Sequence, residues 1–464
     1  MKDGFIKVAA VIPQVEVANP LHNVTQMKEK LEEARALGAH VVVFPELCIS
    51  GYTCGDLFLQ ESLLRGSLDG LLRFAKETAS FSGISFVGLP LMYRGQLYNV
   101  AAAVHRGEIL GFVPKTFLPN YSEFYEARYF ARGMEDAVEI SIGDKTVSMG
   151  TRLLFSCESI PELVIGAEIC EDLWTAQPPS VAHALNGATL IANLSASDEV
   201  TGKDIYRKDL VKSQSARLLC GYIYASAGEG ESTQDVVYSG HSLIAENGTL
   251  LQEAKRFTNE TIVTEIDVQK LIAERRRMST FENRADGYCY VPFTLPVEET
   301  TLTRFVDPAP FVPSGEQDLE KRCQEILMIQ STGLKKRLAH THCRHAVIGI
   351  SGGLDSTLAL LVTVRAFDLL GLDRSQIIAV TMPGFGTTDR TYDNAVHLIE
   401  TLGATFREVD IKEAVRVHFR DIGQDESVHD VTYENGQARE RTQILMNIAN
   451  KVGGLVIGKR GKNE

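Results

Sequence analysis

The segment HAVIGISGGLDST, residues 345–357, constrains the fold of this chain more than any other part of the sequence. It joins two apolar runs through a glycine-rich turn, and this pattern predicts a buried strand followed by a helix. Gly352 and Gly353 have no side chains, so their backbone N–H groups can close on an anion at the N-terminus of that helix. Ser351 and Ser356 add hydroxyl donors. The segment therefore predicts an α/β unit with a phosphate-binding turn.

The turn differs from two common phosphate-binding motifs. No Lys-Ser or Lys-Thr pair follows the glycines, as a Walker A motif requires, and their spacing is not G-x-G-x-x-G. A tight turn that binds nothing is the alternative. However, residues 351–356 resemble the S-G-G-x-D-S pyrophosphate loop of the ATP-pyrophosphatase enzymes, with a strand before and a helix after. The resemblance implies an ATP site formed by Gly349, Ile350, Ser351, Gly352, Gly353, Leu354, Asp355 and Ser356.

The same resemblance implies a reaction class. The enzymes with this loop transfer AMP from ATP to a substrate oxygen and release pyrophosphate, so an activating ligase is favoured over a kinase. Asp355 is implied to bind Mg²⁺ beside the pyrophosphate, a usual role for a carboxylate near ATP. ATP and Mg²⁺ are therefore the expected cofactors.

Length, charge and cysteine usage exclude several classes of protein. A chain of 464 residues is long for one core and favours two domains. Its net charge of −13 argues against non-specific binding of nucleic acid, which needs a positive surface. No segment has the ~18 uninterrupted apolar residues of a membrane helix. Eight scattered cysteines favour free thiols in a reducing cytoplasm. We expect a cytoplasmic small-molecule enzyme.

The pattern of the chain predicts two α/β domains joined by a linker. Short β-branched runs alternate with amphipathic stretches over residues 5–267, as in layered sheets covered by helices. Five prolines between residues 280 and 315 indicate a linker. Beyond it, helices and strands alternate as in a parallel sheet. The predicted bounds are 1–275 for the first domain, 276–316 for the linker and 317–464 for the second domain.

Individual strands and helices can be predicted from these runs. In the first domain, the predicted strands are Ile6–Ile12, His40–Phe44, Ile84–Gly88, Tyr98–His105, Leu163–Ala167, Thr189–Asn193, Tyr222–Ser226, His241–Ala245 and Thr261–Ile266. The predicted helices there are Val24–Leu37, Ser62–Ser80 and Ile205–Leu219. The second domain is predicted to contain Gln317–His340, Leu358–Leu370, Asp389–Leu402 and Asn435–Lys451 as helices, and Ile377–Met382, Thr405–Val409 and Leu455–Ile457 as strands. Asn247-Gly248 predicts a hairpin turn.

Three polar residues follow apolar strands or extended runs of the first domain. Glu46 lies in VVVFPELCISGY, Lys115 in ILGFVPKTFLPNY and Cys170 in LVIGAEICEDLW. Polar residues at strand ends of a layered α/β fold face the cleft above the sheet. Taken singly, each residue also has a non-catalytic explanation: Cys170 could be a small buried side chain, and Glu46 and Lys115 could be solvated charges in loops. The three residues alone therefore do not indicate a catalytic site, and their flanking sequences must be considered as well.

With those flanks, the trio resembles the Glu-Lys-Cys set of the nitrilase superfamily of carbon–nitrogen hydrolases, along roughly the first 270 residues. The resemblance implies an αββα sandwich. A thiol with a pKa of ~8.5 is mostly protonated at neutral pH and needs activation. Glu46 is implied to take the proton from Cys170 and to return it to departing ammonia. Lys115 is implied to stabilise the negative charge on the carbonyl oxygen.

The flanking sequences also favour one branch of that superfamily. The runs LPNYSEFYEARYF and NLSASDEVTGK, together with Trp174, resemble the glutaminase branch. Tyr121, Ser197 and Lys203 are implied to hold the amino and carboxylate ends of glutamine, with Glu171 and Tyr52 lining the same pocket. At the position of Lys203 the family often has another basic residue.

Two later segments, MPGFGTTDRTYDNA (382–395) and VTYENGQARERTQILMNIANKVGGLVIG (431–458), resemble the glutamine-dependent NAD synthetase family. The second implies that Asn435, Arg439 and Arg441 bind deamido-NAD. Two arginines two positions apart on a helix do not share a face, so only one need reach phosphate. Solvated surface arginines are the alternative.

The two resemblances together imply one reaction. ATP adenylates the nicotinate carboxylate of deamido-NAD, and ammonia released from glutamine at Cys170 displaces AMP to give NAD. The family resemblance also implies a homo-oligomer.

The end of the chain departs from the family pattern. The sequence finishes with GLVIGKRGKNE, whereas the family continues after GLVIG with a further segment. We therefore expect an incomplete doubly wound parallel sheet in the second domain. Three hypotheses stay open: a ligase of this lineage, a glutaminase or amidase that works through Glu46, Lys115 and Cys170 alone, and a non-catalytic truncated subunit.

Overall fold

The computed structural model describes residues 1–284, 287–313, 315–385 and 389–458, with only the backbone at 389–391. Residues 386–388 of the segment MPGFGTTDRTYDNA and the final residues KRGKNE lie outside the described residues. The chain divides into two compact units, Met1–Val306 and Asp307–Glu464.

The first unit contains two mixed β-sheets. Its strands are β1 (Phe5–Ala10), β2 (Val41–Val43), β3 (Ile84–Tyr93), β4 (Gln96–His105), β5 (Glu108–Pro114), β6 (Val138–Ile142), β7 (Lys145–Met149), β8 (Leu153–Cys157), β9 (Val164–Ile169), β10 (Leu190–Ser195), β11 (Gly221–Ser226), β12 (Leu243–Glu246), β13 (Thr249–Glu253), β14 (Ile262–Asp267) and β15 (Cys289–Phe293). One sheet has the order β14-β1-β2-β3-β4-β5-β7-β6 and the other β13-β12-β11-β10-β9-β8-β15.

Six α-helices lie in the described residues of the first unit. They are α1 (Pro20–Ala36), α2 (Glu61–Glu77), α3 (Glu171–Trp174), α4 (Pro179–Leu185), α5 (Lys203–Leu218) and α6 (Val268–Arg277). Helices α1 and α2 share a buried core with one face of the first sheet, and α4 and α5 share another with the second sheet. The layers are therefore helix, sheet, sheet, helix, which confirms the predicted αββα sandwich.

Strand β1 shows how the sequence specifies these layers. Because successive side chains of a strand point to opposite faces, a strand buried on both faces is apolar throughout. Ile6, Val8 and Ala10 lie in the core between the two sheets, whereas Ala9 lies in the core beneath the helices. The one charge in the run, Lys7, forms an ion pair with Glu265 of the neighbouring strand at 2.9 Å.

The segment predicted to be a linker is partly ordered structure of the first unit. Within residues 276–316, Cys289–Phe293 forms β15, which pairs in parallel with β8 at the edge of the second sheet. The prolines led us to predict a linker, but an edge strand tolerates Pro292 because one side of its backbone has no neighbouring strand. The first compact unit ends at Val306. The domain bounds 1–275 and 317–464 stay a prediction.

The second unit is a parallel sheet covered on both faces. Its strands are β16 (Ala346–Gly349), β17 (Ile377–Thr381), β18 (Thr405–Glu408) and β19 (Leu455–Ile457), in the order β18-β17-β16-β19. Its helices are α7 (Glu316–Thr341), α8 (Leu354–Leu370), α9 (Asp389–Leu402), α10 (Lys412–Ile422) and α11 (Val431–Val452). Helices α7 to α9 contribute to one core and α10 and α11 to the other. The predicted doubly wound parallel sheet is therefore confirmed.

The topology of this sheet locates a binding crevice. Strand β16 pairs in parallel with β17 on one side and with β19 on the other. The chain therefore leaves β16 at the point where the strand order reverses, and ligands of open α/β sheets bind outside the carboxyl ends of the strands at such a point. The glycine-rich turn begins directly after β16.

None of the helices in the described ranges combines the length and the apolar character that crossing a membrane requires.

Candidate active sites

Cys170 lies directly after β9, at a sharp strand-to-helix turn. Its backbone has φ 44° and ψ −97°, a conformation that is unfavourable for residues with a side chain. Its N–H donates to the carbonyl of Leu194 on β10 at 2.9 Å. The side chain is buried, and this burial together with Glu46 raises the pKa of the thiol well above its ordinary value. The resting cysteine is therefore protonated and needs a base before it can attack a carbonyl.

Glu46 and Lys115 form a buried ion pair next to this turn. Lys115 Nζ lies 2.6 Å from Glu46 Oε1, and both side chains are fully buried. The N–H of Glu46 donates to the carbonyl of Ser195 at 3.3 Å, so Glu46 and Cys170 contact successive residues of β10. Glu46 and Lys115 both act on the pKa of Cys170, Glu46 raising it and Lys115 lowering it. The structure thus brings the three predicted residues together.

Further donors fix the orientation of the Glu46 carboxylate. Asn99 Nδ2 donates to Oε1 at 2.7 Å, and the N–H of Ala196 donates to Oε2 at 2.9 Å. With Lys115 also on Oε1, this carboxylate accepts three hydrogen bonds. A carboxylate held in one orientation is the geometry that a general base requires.

A second carboxylate, Glu126, was not among the predicted residues. Its Oε1 lies 2.7 Å from Lys115 Nζ and accepts a 2.7 Å hydrogen bond from Tyr52 Oη. Burial raises the pKa of Glu126 to about 7, against the opposing effect of Lys115. Burial alone would lower the pKa of Lys115, but Glu126 and Glu46 hold it well above its ordinary value. The ammonium therefore stays charged.

Sequence reasoning missed Glu126 because its surroundings suggest a solvated stretch. The run SEFYEARYF contains two glutamates, and Glu123 and Glu126 look equivalent in it. Only the fold distinguishes them, since Glu126 is 5% exposed and faces Lys115.

Asp172 is a second buried carboxylate that the sequence did not reveal. It accepts hydrogen bonds from the N–H groups of Phe117 at 2.8 Å, Ile169 at 3.0 Å and Thr116 at 3.1 Å. Burial raises the pKa of Asp172, and the N–H donors of Ile169 and Phe117 oppose this effect because they favour the ionised carboxylate. Thr116 follows Lys115 and Ile169 precedes Cys170, so one carboxylate joins the backbone segments that carry both side chains.

The three residues predicted to hold glutamine are distributed around the same turn. Tyr121 Oη donates to Glu171 Oε1 at 2.8 Å. Lys203, at the start of α5, forms an ion pair with Asp198, and its Nζ lies 5.3 Å from the centre of the Trp174 ring. Glu171 and Trp174 are the ends of α3, which directly follows Cys170. Tyr121 and Lys203 therefore approach the helix that begins at the cysteine.

Ser197 follows β10 and is buried, with its Oγ accepting a 3.2 Å hydrogen bond from Arg207 Nη2. A cavity of about 240 Å³ has Tyr52, Glu126 and Tyr238 among the residues of its walls. Of the two residues expected to line the glutamine pocket, Tyr52 faces this cavity and Glu171 contacts Tyr121.

In the second unit, the glycine-rich turn has an internal set of hydrogen bonds. Gly352 adopts φ 78°, which a residue with a side chain rarely tolerates. Ser356 Oγ donates to the carbonyl of Gly353 at 2.9 Å and accepts from the N–H of Ser351 at 3.3 Å. Helix α8 then begins at Leu354, four residues before the predicted start.

A cavity of about 820 Å³ opens beside this turn. Its walls include Gly349, Ile350, Ser351 and Ser356 from the predicted ATP site, and Arg441 from the predicted deamido-NAD site. Arg441 Nε donates to the carbonyl of Met382 at 3.3 Å, and burial lowers the pKa of its guanidinium.

The remaining predicted residues lie near the turn or on helix α11. Gly353, Leu354 and Asp355 are exposed at the start of α8, whereas Asn435 and Arg439 are exposed on α11. Arg439 and Arg441 thus point in different directions, as expected for residues two apart on a helix. Arg441 is the arginine that faces the cavity.

Comparison with known proteins identifies both units. Family models match residues 7–276 as carbon-nitrogen hydrolase and residues 326–464 as NAD synthase. The glutamine-dependent NAD(+) synthetase of Mycobacterium bovis is 42% identical over 476 residues, covering 99% of this chain and 70% of the relative. The Aquifex aeolicus protein of the same name is 31% identical over 431 residues, covering 92% of this chain and 70% of the relative.

A solved structure agrees in fold. The glutamine-dependent NAD(+) synthetase from Cytophaga hutchinsonii has a TM-score of 0.52 and 23% identity, covering 98% of this chain and 75% of that one. Both units, their order along the chain and the extent of the match lead to the same assignment. The chain belongs to the glutamine-dependent NAD(+) synthetase family.

Proposed function

We propose that this chain makes NAD from deamido-NAD and ATP, using ammonia that it releases from glutamine. The observation that carries the proposal is the buried pair of Glu46 and Lys115 at the Cys170 turn, in a chain whose second unit has a glycine-rich turn beside a large cavity. The family to which the chain belongs is named for this reaction.

The first half-reaction hydrolyses glutamine. Glu46 accepts the proton of the Cys170 thiol, and the sulfur attacks the carboxamide carbon. Lys115 faces the developing oxyanion with an ammonium that Glu126 and Glu46 keep charged. As the tetrahedral intermediate collapses, Glu46 returns the proton to the leaving nitrogen and ammonia departs. Water then cleaves the thioester, and glutamate is released.

Glutamine is recognised at its two charged ends. Lys203 and Ser197 supply a cation and a hydroxyl donor for the carboxylate, while Tyr121 and Glu171 supply polar groups for the amino end. The rings of Trp174 and Phe124 lie 5.3 and 5.8 Å from Lys203 Nζ and limit its movement.

The second half-reaction takes place beside the glycine-rich turn. Residues 349–356 bind the phosphates of ATP through backbone N–H groups and hydroxyls at the N-terminus of α8. Arg441 faces the same cavity, and Asn435 and Arg439 provide further contacts to deamido-NAD. The nicotinate carboxylate attacks the α-phosphorus and pyrophosphate leaves. Ammonia then attacks the acyl carbon, and NAD and AMP are formed.

The chemistry of this turn also fits a magnesium ion. Among the described residues, no group of three or more His, Cys, Asp or Glu side chains forms a metal site. Mg²⁺ in ATP sites commonly takes one or two carboxylates and completes its shell with phosphate oxygens and water. Asp355, at the start of α8, is the carboxylate we assign to it. When bound, the ion neutralises charge on the phosphates.

The cellular context and assembly are part of the proposal. All eight cysteines lie in the described part of the chain and are free thiols, which supports a reducing cytoplasm. We expect a homo-oligomer, and light scattering on the purified protein would test this. A monomer at micromolar concentration would contradict it.

The central test measures NAD formation from deamido-NAD, ATP and Mg²⁺, with either glutamine or a saturating ammonium salt. We expect the wild-type protein to use both nitrogen donors. Cys170→Ala should lose glutamine-dependent synthesis and keep the ammonia-dependent rate, because only the first half-reaction needs the thiol. Cys48→Ala is the control, because Cys48 is also a buried thiol but packs beneath α1 and α2.

The two alternatives give different results in the same assay. If glutamate is released from glutamine while ammonia supports no NAD formation, the chain is a glutaminase only. If neither reaction occurs in folded protein, the non-catalytic hypothesis is favoured. NAD formation from glutamine by Cys170→Ala would refute the role assigned to the cysteine.

A further inference from the structure

Arg207 is a fully buried arginine that lies beside the proposed glutamine site. It is located on α5, four residues after Lys203, and none of its surface is exposed. Its Nη2 donates to Ser197 Oγ at 3.2 Å and to the carbonyl of Asp198 at 3.0 Å. Its Nη1 donates to Glu199 Oε2 at 3.1 Å. One guanidinium thus contacts three consecutive residues after β10.

Those contacts fix the two groups that we assign to the carboxylate of glutamine. Ser197 is held directly, and Asp198, whose side chain pairs with Lys203, is held through its carbonyl. Ser197 Oγ accepts a hydrogen bond from Arg207 and also interacts with the hydroxyl of Tyr224, and we assign its own hydrogen to the carboxylate of bound glutamine. A hydroxyl donor next to a lysine ammonium matches a carboxylate.

The burial of this charge is compensated by a specific partner. Burying an arginine without compensation is strongly unfavourable, so such residues are paired with an opposite charge and hydrogen-bonded. Glu199 supplies the opposing charge and also pairs with Arg256 at 3.3 Å. His241 Nδ1 lies 2.9 Å from the same Nη1 atom. The guanidinium is therefore held in one position.

A second buried arginine of the same unit provides a comparison. Arg275 donates to the carbonyls of Ala188, Leu218 and Leu219 at 2.6, 3.0 and 3.1 Å. The carbonyls of Leu218 and Leu219 lie at the C-terminal end of α5 and that of Ala188 precedes β10, so none of the three is among the groups assigned to glutamine. Arg275 therefore shares the burial of Arg207 and lacks its contacts to Ser197 and Asp198.

We propose that Arg207 is a positioning residue that sets the affinity for glutamine by holding Ser197 and the Asp198–Lys203 pair in place. This inference rests on the proposed glutaminase function. It assigns to Arg207 no part in the chemistry of Cys170, so the binding of glutamine and the reactivity of the thiol should separate when Arg207 is changed.

The test compares Arg207→Lys with Arg275→Lys. For each variant, kcat and KM for glutamate release are measured, together with the rate at which iodoacetamide alkylates Cys170. Iodoacetamide has no carboxylate or amino end, so it reports the thiol alone. Loss of a hydrogen bond from a charged donor should raise the KM for glutamine about tenfold or more in Arg207→Lys, with the alkylation rate within about twofold of wild type. Arg275→Lys should change neither quantity.

Two results would overturn the role assigned to Arg207. An unchanged KM in folded Arg207→Lys would overturn the inference, and so would an equal loss in glutamine affinity and alkylation rate, which would indicate a general structural role. If Arg207→Lys does not fold, Glu199→Gln loosens the same guanidinium with a smaller change, and the same split in KM and alkylation is expected. If the wild-type protein releases no glutamate, the proposed glutaminase function fails first, and the inference fails with it.

Discussion

At the scale of single residues, buried carboxylates hold the first site together. Glu46 and Glu126 both contact Lys115, and Asp172 joins the backbone segments on either side of the site. Carboxylates can accept several hydrogen bonds from groups that come from different elements. Each of these residues therefore connects parts of the chain that are far apart in sequence.

Asp172 gives a prediction about catalysis. In Asp172→Asn, an amide NH₂ group replaces one of the two carboxylate oxygens that accept backbone N–H hydrogen bonds in the wild-type protein. Because two donors cannot bond to each other, we expect the segments bearing Lys115 and Cys170 to shift apart. We expect kcat for glutamine hydrolysis to fall about 100-fold, because small misplacements of reacting groups cost that much. Steady-state release of glutamate measures it.

The control for this experiment is Asp56→Asn. Asp56 is an exposed carboxylate of the same unit, and its partners are Arg128 and Tyr129. This variant should keep the wild-type kcat. A wild-type kcat in Asp172→Asn would show that the carboxylate has no positioning role.

The sequence indicated the location of Glu46, Lys115 and Cys170 because each follows an apolar strand. Their roles remain predictions. Glu126, Asp172 and Arg207 have no such local signal, since charged residues in polar stretches look solvated. These residues become buried only when the ends of strands β5, β9 and β10 come together in the fold. The amino-acid sequence alone does not show which charged residues lie at that point.

At the scale of elements, the strongest patterns predicted the fold best. Several buried apolar strands lie within two residues of their predicted bounds, and Leu455–Ile457 matches the structure. The apolar strand β8, Leu153–Cys157, was not predicted, and β3 extends to Tyr93, five residues beyond its predicted end. The hairpin predicted at Asn247-Gly248 is confirmed, since both residues adopt positive φ, 44° and 84°, between β12 and β13. Such angles are what a two-residue hairpin turn needs.

Elements at the edges of the sheets were missed for a physical reason. Strands β6 and β7 form an outer hairpin whose polar side chains alternate with apolar ones, as in VEISI. Helix α10 buries only Val415 and Phe419. An element that buries little apolar surface has only a weak hydrophobic pattern in its sequence. Its structure then depends on the neighbouring elements that it packs against or pairs with.

The glycine-rich turn gives a prediction at this scale. Gly352→Ala must place a side chain at φ 78°, which should destabilise the fold by about 1 kcal/mol and also obstruct the anion site. We expect the affinity for ATP, measured by calorimetry, to fall about tenfold or more, which corresponds to a loss of at least about 1.4 kcal/mol.

Gly371→Ala is the matched control for the turn. Gly371 caps the C-terminus of α8 at φ 65°, and a methyl group there would meet open space. It should cost similar stability without changing the affinity for ATP. Equal affinities in the two variants would exclude the turn from the ATP site.

At the scale of the whole molecule, unfolding of the first unit can be observed by itself. The only tryptophan of the chain, Trp174, lies in the first unit. Its fluorescence therefore reports unfolding of that unit.

His183 predicts how the first unit responds to acid. Its Nε2 lies 3.1 Å from the carbonyl of Ala167 and its Nδ1 lies 2.9 Å from Tyr288 Oη, which fits a neutral ring. Burial lowers its pKa to about 4, whereas an unfolded histidine titrates near 6.5. Between these values the unfolded chain binds more protons, so stability is fully present above about pH 6.5 and falls towards pH 4. The contribution is about 3 kcal/mol.

Urea unfolding followed by Trp174 fluorescence at pH 7.5 and pH 4.5 would measure this effect. His183→Gln should reduce the difference in unfolding free energy between the two pH values. His22→Gln, which changes a partly exposed histidine of the same unit, should leave the difference as in wild type. A difference that is the same in all three proteins would refute the assignment.

The backbone of Cys170 has a consequence for laboratory evolution. Its positive φ is unfavourable for any side chain, and glycine would relieve that strain. Cys170→Gly should therefore melt at a higher temperature than Cys170→Ala, although both lack the nucleophile. A selection that rewards heat resistance alone would favour the loss of this cysteine, so any programme to make a robust variant must screen for turnover in every round.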